Sequence, residues 1–103
     1  MKTLVLPLKK IWFDAIASGQ KKEEYREITS YWQSRLSDHI RSDIYEIRHF
    51  ENVTFTLGYP KKTDVSRRMT FRIEDITIRE GKSEWGAEPD KQYFVIVLGE
   101  RVN

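Results

Sequence analysis

Residues 69–80 constrain the fold more than any other stretch of the chain. Apolar side chains occupy odd positions up to Ile73 and even positions from Ile76 onward. Because side chains alternate between the two faces of a strand, this pattern shifts by one residue at Glu74 and Asp75. An inserted bulge or a sharp bend is needed to absorb such a shift. The sequence therefore predicts one long strand of a curled sheet, interrupted at these two acidic residues.

The rest of the chain is predicted to form two helices and several short strands. Residues 9–18 have apolar side chains at helical spacing, and Gly19 follows where a helix commonly ends. Thr29 or Ser30 can cap a second helix that runs to about His39. Apolar patterns predict strands at residues 3–8, 44–48, 53–57 and 93–98, an extended segment at 21–28, and loops at 61–68 and 81–91. This order indicates a small α+β domain whose sheet curls into a compact barrel, since closure protects strand edges.

Composition bounds the size and the chemistry of the protein. The chain has 103 residues, enough for one domain (residues 1–103) and too few for two. It contains no cysteine, which excludes disulfides, thiolate chemistry and cysteine-bound zinc or iron–sulfur clusters. With only two histidines, we expect neither a metal site nor another cofactor. The 18 Lys and Arg residues against 16 Asp and Glu are too balanced to indicate a nucleic-acid partner by themselves.

No apolar stretch approaches the ~20 residues that a membrane-spanning helix needs. The longest runs from Tyr93 to Leu98 and has the length of a strand. The apolar N-terminal stretch is interrupted by Pro7 and by the pair Lys9–Lys10. Because proline cannot donate a ladder hydrogen bond, Pro7 also indicates that the first strand lies at an edge of the sheet or ends there. We therefore expect a cytoplasmic protein with no membrane contact.

A highly charged segment after Gly19 contains the first candidate site residues, Lys21, Glu24 and Arg26. The planar guanidinium of Arg26 suits a phosphate or a carboxylate, and a desolvated Lys21 can act as a base or nucleophile. In a regular strand Lys21 faces away from Glu24, so the three side chains meet only if the chain is irregular at residues 19–22. The alternative is a solvated edge strand whose ion pairs each contribute about 0–1 kcal/mol.

The spacing Gly19-x-Lys21-x-x-Glu24-x-Arg26 resembles the G-x-K-x-x-E-x-R signature of the ASCH domain family, a branch of the PUA-like superfamily. The stretches LPLKKIWFDAIASG, FTLGY, RRMTFRIEDITI and WGAEPDKQYFVIVLGE look like segments of small stand-alone ASCH proteins of bacteria and phages. The resemblance implies a PUA-like β-barrel of five or six strands with two or three flanking short helices. It also implies a cleft at the signature that binds RNA or a nucleotide.

The resemblance leaves an enzyme as the alternative. Some ASCH relatives are small amidohydrolases that remove an acyl group from a modified cytidine, with the signature lysine as nucleophile or base. In such an enzyme Lys21, Glu24 and Glu74 would be catalytic, with Glu74 or Asp75 as the carboxylate from a later strand. Those relatives have threonine where this chain has Glu24, and a carboxylate beside Lys21 favours the charged amine, a poorer nucleophile. A second alternative is a non-catalytic interaction module.

Two further candidates come from loops. The basic stretch with Arg67 and Arg68 follows Tyr59, and basic groups beside an aromatic ring suit single-stranded nucleic acid. Trp85 lies in a Gly- and Pro-containing loop, where its ring can stack on a base or plug the mouth of the barrel. The full set of predicted ligand-binding residues is Lys21, Glu24, Arg26, Tyr59, Arg67, Arg68 and Trp85. The basic loop and Trp85 also have ordinary structural interpretations, a solvated loop and a packing residue.

Helical spacing predicts that Trp12, Trp32 and Leu36 lie in the core. His39 and His49 share no pattern and are expected at the surface.

Overall fold

The computed structural model describes residues 2–103 and shows an α+β fold, as the sequence predicts. The strands are β1 (Thr3–Leu8), β2 (Glu23–Glu27), β3 (Ser37–Arg41), β4 (Ile44–Ile47), β5 (Asn52–Leu57), β6 (Arg68–Glu80) and β7 (Gln92–Arg101). The helices are α1 (Lys10–Ala17) and α2 (Ser30–Leu36), and single 3₁₀ turns occur at Val65–Arg67 and Ser83–Trp85. Five of the strands form a curled mixed sheet, a half-barrel, which positions the candidate site.

The half-barrel has the strand order β1-β5-β6-β7-β2. Strand β1 pairs with β5 in parallel, and the other pairs in this sheet are antiparallel. The two edges are therefore β1, which contains Pro7, and β2, which contains Glu24 and Arg26. The edge position of Pro7 was predicted because its nitrogen cannot donate to a neighbouring strand.

Strand β7 is buried on both faces, which explains its continuous apolar run. Phe94 and Ile96 belong to the main core, together with residues of β1, α1, β5 and β6. Tyr93 and Val95 point to the opposite face and form a smaller cluster with Ala87. A strand between two apolar layers needs no polar face, as the sequence indicated.

The predicted shift in β6 is a bulge at Glu74. Ile73 lies opposite Leu98 of β7, whereas Asp75 lies opposite the adjacent Val97, so Glu74 is an extra residue on β6. The insertion allows both Ile73 and Ile76 to pack against the main core although their positions differ in parity. The prediction that the acidic pair interrupts regular pairing is confirmed.

The second helix is shorter than predicted. It ends at Leu36, where Ser37 becomes extended and its hydroxyl donates a 2.6 Å hydrogen bond to the carbonyl of Gln33. Strand β3 follows and pairs with β4 in a separate two-stranded sheet. The predicted helical extension to His39 is wrong. The side chains of β3 beyond Ser37 are exposed and show no apolar alternation, so the sequence carries no pattern that marks this segment as a strand.

Helix α1 does not place Trp12 in the core. Its buried residues are Phe13 and Ile16, and Trp12 is half-buried at the side of a cleft. Leu36 is fully buried in the main core and Trp32 packs against it, in agreement with the sequence prediction. His39 and His49 are exposed, as the sequence predicts.

Within residues 2–103, no helix combines the length and the apolar character needed to cross a membrane.

Candidate functional site

Lys21, Glu24 and Arg26 meet at the edge of the half-barrel, and we call them the triad. Glu24 and Arg26 lie opposite Ile96 and Phe94 of β7, so their side chains share the face that covers the main core. Lys21 joins them because the chain is irregular after α1. Gly19 has a positive φ of 84°, and the Lys21 amide donates a 3.0 Å hydrogen bond to the carbonyl oxygen of residue 15.

One buried cation, Lys21, and one partly buried cation, Arg26, share the carboxylate of Glu24. Lys21 Nζ lies 2.8 Å from Glu24 Oε1, and Arg26 Nη2 lies 2.7 Å from Glu24 Oε2. The exposed fractions of the three side chains are 2% for Lys21, 7% for Glu24 and 15% for Arg26. Removing charges from water is costly unless they are paired, so each member of the triad depends on the others.

Arg26 also links the two edges of the half-barrel. Its Nη2 donates a 3.0 Å hydrogen bond to the carbonyl oxygen of Pro7 on β1. Its guanidinium carbon lies 5.0 Å from the ring centroid of Trp32. Arg26 Nε is buried and has no hydrogen-bond partner among residues 2–103. The gap between β1 and β2 is therefore bridged by a side chain.

Beside the triad is a cleft of about 530 Å³, which we call the lysine cleft. Its aromatic and triad residues are Trp12, Lys21, Glu24, Tyr25, Trp85 and Tyr93. The ring centroid of Trp12 lies 4.3 Å from Lys21 Nζ, close enough for a cation–π interaction. Lys9, Glu27 and Glu88 also line the cleft, so its charges are of both signs.

The loop of residues 81–91 forms one wall of the lysine cleft. Tyr25 fixes its start, because the phenol oxygen accepts a 3.0 Å hydrogen bond from the amide of Lys82. Tyr93 accepts a 2.9 Å hydrogen bond from the amide of Glu88. Gly86 has a φ of 98°, and a Cβ atom there would lie 2.9 Å from a ring carbon of Trp12. Glycine is required at this position because both the backbone and the neighbouring ring exclude a side chain.

Trp85 lies in this wall and is half-buried. It lines both the lysine cleft and a neighbouring cleft of about 550 Å³. Lys82 Nζ lies 4.5 Å from its ring centroid. The ring therefore divides two clefts, a position in which it can contact a bound group.

Tyr25 is part of a charged network behind the wall. Its hydroxyl donates a 2.8 Å hydrogen bond to Glu23, which also accepts a 2.5 Å bond from Arg79. Burial, together with Glu23, raises the pKa of Tyr25 to about 12. Burial alone would raise the pKa of Glu23, but hydrogen bonds from Arg79 and Tyr25 outweigh it and hold that pKa below its ordinary value. The phenol thus stays protonated and continues to donate its hydrogen bond to Glu23 over a wide pH range.

Of the two carboxylates predicted near Lys21, Glu74 shares a cleft with it and Asp75 does not. Glu74 lines the 550 Å³ cleft together with Lys21, and its Cγ would lie 3.2 Å from a Cβ atom placed on Gly99. Both carboxylates line another cleft, of about 190 Å³, beside His49, but Asp75 does not line the cleft that contains Lys21. Among the described residues no ion pair joins Glu74 to Lys21. Glu74 is exposed, so it shares a cleft with Lys21 without contributing to its charge compensation.

The basic loop is not brought to the triad. Tyr59 is 93% exposed, and it lines a cleft of about 540 Å³ with Arg67 and Lys9. Arg67 pairs with Asp64 at 3.2 Å, and Arg68 Nη2 donates a 3.4 Å hydrogen bond to the carbonyl of residue 60. Arg67 and Arg68 therefore lie apart from Lys21, although Tyr59 also lines a second large cleft, which contains Arg26.

This second cleft, of about 850 Å³, is absent from the sequence prediction. We call it the arginine cleft and define it by Arg26, Arg35, Arg48, Tyr31, Trp32 and Tyr59. No Asp or Glu lines it in the part of the chain that the structure describes. The one local signal is the spacing of Tyr31 and Arg35, which places both on one face of a helix. The remaining residues come from separate strands and loops, which periodicity alone cannot bring together.

Between residues 2 and 103 there is no group of three or more His, Cys, Asp or Glu side chains that could hold a metal ion. No protein-family model, curated protein or solved structure matches this chain.

Proposed function

We propose that the chain is an ASCH module of the PUA-like superfamily that binds RNA or a nucleotide, with a base in the lysine cleft. The proposal rests on one observation above all: the three polar residues of the signature spacing converge in space and contribute to an aromatic-walled cleft. A curled five-stranded sheet with two helices is compatible with a PUA-like barrel.

The size and lining of the lysine cleft favour a flat polar ring as its occupant. Its volume of about 530 Å³ falls within the range of roughly 300–1,000 Å³ that small-molecule sites occupy. Trp12 and Trp85 offer ring faces for stacking, and Glu24 offers carboxylate oxygens that accept hydrogen bonds from an exocyclic amine. Because carboxylates and amines are mixed along its walls, the cleft suits a neutral base better than a phosphate.

We place the amidohydrolase alternative second. It requires a Lys21 amine that is free to attack or to accept a proton, whereas Lys21 Nζ pairs with Glu24 and lies over the ring of Trp12. Glu74, the carboxylate proposed to assist, forms no ion pair with Lys21 in residues 2–103.

The proposal is tested by titrating the purified protein with the four nucleosides, their monophosphates and a short RNA, monitored by NMR chemical-shift changes. We expect shifts at the amides around Trp12 and Trp85. Replacing Trp85 with Ala should weaken binding about tenfold or more, the usual loss when a stacked ring is removed. The matched control is Tyr45→Ala, which removes a half-exposed ring on β4.

The absence of shifts with every nucleoside, nucleotide and RNA would contradict the proposal. Shifts that remain unchanged in Trp85→Ala would contradict the placement of the base. Incubation with N4-acetylcytidine tests the alternative. Release of acetate that disappears in Lys21→Ala would make hydrolysis the function and displace simple binding.

A further inference from the structure

We infer that the arginine cleft holds the sugar–phosphate chain of a single-stranded nucleic acid, so the ligand is an oligonucleotide and not a mononucleotide. The inference rests on the proposed function and adds the ligand class and a second contact surface. It is carried by the charge, the rings and the position of this cleft.

The charged side chains that line the arginine cleft are all of one sign. Arg26, Arg35 and Arg48 line it, and none of its lining residues between 2 and 103 is acidic. Arg48 Nε pairs with Asp38 at 3.0 Å, but both side chains are substantially exposed, so a phosphate can replace this partner at little cost. Arginine suits phosphate because its fork of donors matches two phosphate oxygens.

Aromatic rings lie between the arginines. The guanidinium carbon of Arg35 lies 4.3 Å from the ring centroid of Tyr31, and Tyr31 contacts Trp32 edge-on at 4.9 Å. Arg26 lies over the other ring of this pair at 5.0 Å. Tyr31 is 55% exposed, which leaves room for a base to stack on it. Alternating cations and exposed rings are typical of surfaces that bind single strands, and not of sites for an isolated inorganic anion.

The two clefts adjoin through the triad. Glu24 lines the lysine cleft and Arg26 lines the arginine cleft, and the two are joined by the 2.7 Å ion pair. They are two residues apart on β2, about 7 Å along the strand. One strand of nucleic acid can therefore place a base beside Glu24 and an adjoining phosphate beside Arg26. A volume of about 850 Å³, larger than that of the lysine cleft, leaves room for further nucleotides.

The experiment measures fluorescence anisotropy of labelled single-stranded RNAs of one, two, four and eight nucleotides between 50 and 200 mM salt. We expect affinity to rise with length and the octanucleotide to show a log–log salt slope of about −2, from three phosphates at roughly 0.7 each. Arg35→Ala and Arg48→Ala should each lower octanucleotide affinity about tenfold. Each should also reduce the magnitude of the slope by about 0.7. The matched control is Arg72→Ala, which removes an exposed arginine paired with Glu100.

Several outcomes would overturn the inference. A mononucleotide that binds as tightly as the octanucleotide, with Trp85→Ala still weakening it, refutes the arginine cleft and leaves the proposed function standing. Equal binding of single-stranded RNA and heparin refutes it as well, because it reduces the cleft to a general polyanion surface. No binding of any RNA or nucleotide removes both proposals. Tighter binding of single-stranded DNA than of RNA supports a cleft for single strands and shows that the cleft prefers deoxyribose.

Discussion

Arg26 donates a 3.0 Å hydrogen bond to the carbonyl oxygen of Pro7, and these two residues lie on the strands at opposite edges of the half-barrel. Pro7 has no amide hydrogen to donate, so at this residue β1 is joined to Arg26 of β2 through the carbonyl oxygen alone. The same guanidinium group pairs with Glu24. One side chain thus connects the stability of the fold with the arrangement of the candidate site.

The first prediction concerns Arg26→Ala. We expect a loss of about 3 kcal/mol in the free energy of unfolding, because the change breaks a buried ion pair and leaves the Pro7 oxygen without this donor. Urea denaturation followed by circular dichroism measures it. Arg72→Ala is the control and should cost less than about 1 kcal/mol, since its pair with Glu100 is exposed. Equal losses in the two variants would contradict a structural role for the bridge.

The second prediction concerns the order of losses within the triad. Glu24→Gln should cost about 3–5 kcal/mol, because it leaves the buried Lys21 and the partly buried Arg26 without a carboxylate. Lys21→Met should cost less, since Glu24 keeps Arg26 as a partner. Adding Lys21→Met to the Glu24→Gln variant should restore stability, because it removes one unpaired charge. A double-mutant cycle from urea denaturation tests this, and simple additivity of the two losses would contradict the shared carboxylate.

The third prediction concerns pH and Tyr25. Its pKa rises from an ordinary 10.0 to about 12 in the folded protein, mainly through burial. Its contribution to stability is therefore fully present below about pH 10 and is lost as the pH rises towards 12. Tyr25→Phe should lower stability at pH 8 but show a smaller further decline between pH 10 and 12. Parallel stability curves for the two proteins across that interval would show that the phenol does not titrate as the structure indicates.

The fourth prediction compares two glycines with positive φ. Gly86→Ala and Gly58→Ala both place alanine in an unfavourable backbone conformation, which should lower the free energy of unfolding by about 1 kcal/mol or more. At Gly86 the added methyl group would also meet the ring of Trp12. At Gly58 none of the surrounding residues in the range 2–103 lies within 4 Å of the corresponding position. We expect the Gly86 variant to be less stable in thermal denaturation and to shift the NMR signals of the lysine cleft. Equal melting temperatures would argue against close packing of this loop on α1.

Much of the sheet follows from local pattern. The shift in residues 69–80 located the bulge at Glu74, and the apolar run at 93–98 indicated a strand buried on both faces. These strands can be recognised in the sequence because apolar and polar residues alternate along a strand buried on one face. Along a strand buried on both faces, apolar residues are continuous. Strand β3 gave no such signal because its side chains beyond Ser37 are exposed.

The candidate site was only partly predictable. Lys21, Glu24 and Arg26 lie within six residues, so spacing indicated their proximity once an irregular backbone was allowed. Arg35 and Arg48 join Arg26 only through the packing of α2 and the segment after β4 beside β1. Side chains assembled by tertiary packing leave no periodic trace in a single sequence. The prediction that Trp12 lies in the core was wrong for a related reason: the residues of α1 that tertiary packing buries are Phe13 and Ile16.

Strand β2 has β7 as its only neighbour in the half-barrel that residues 2–103 form. The candidate-site residues of β2 are therefore synthesised well before the strand that supports them. Until residues 92–101 emerge, Glu24 and Arg26 have no ladder to hold them against the core, and a nascent chain cannot present either cleft. Assembly of the candidate site should therefore wait until β7 is available to pair with β2.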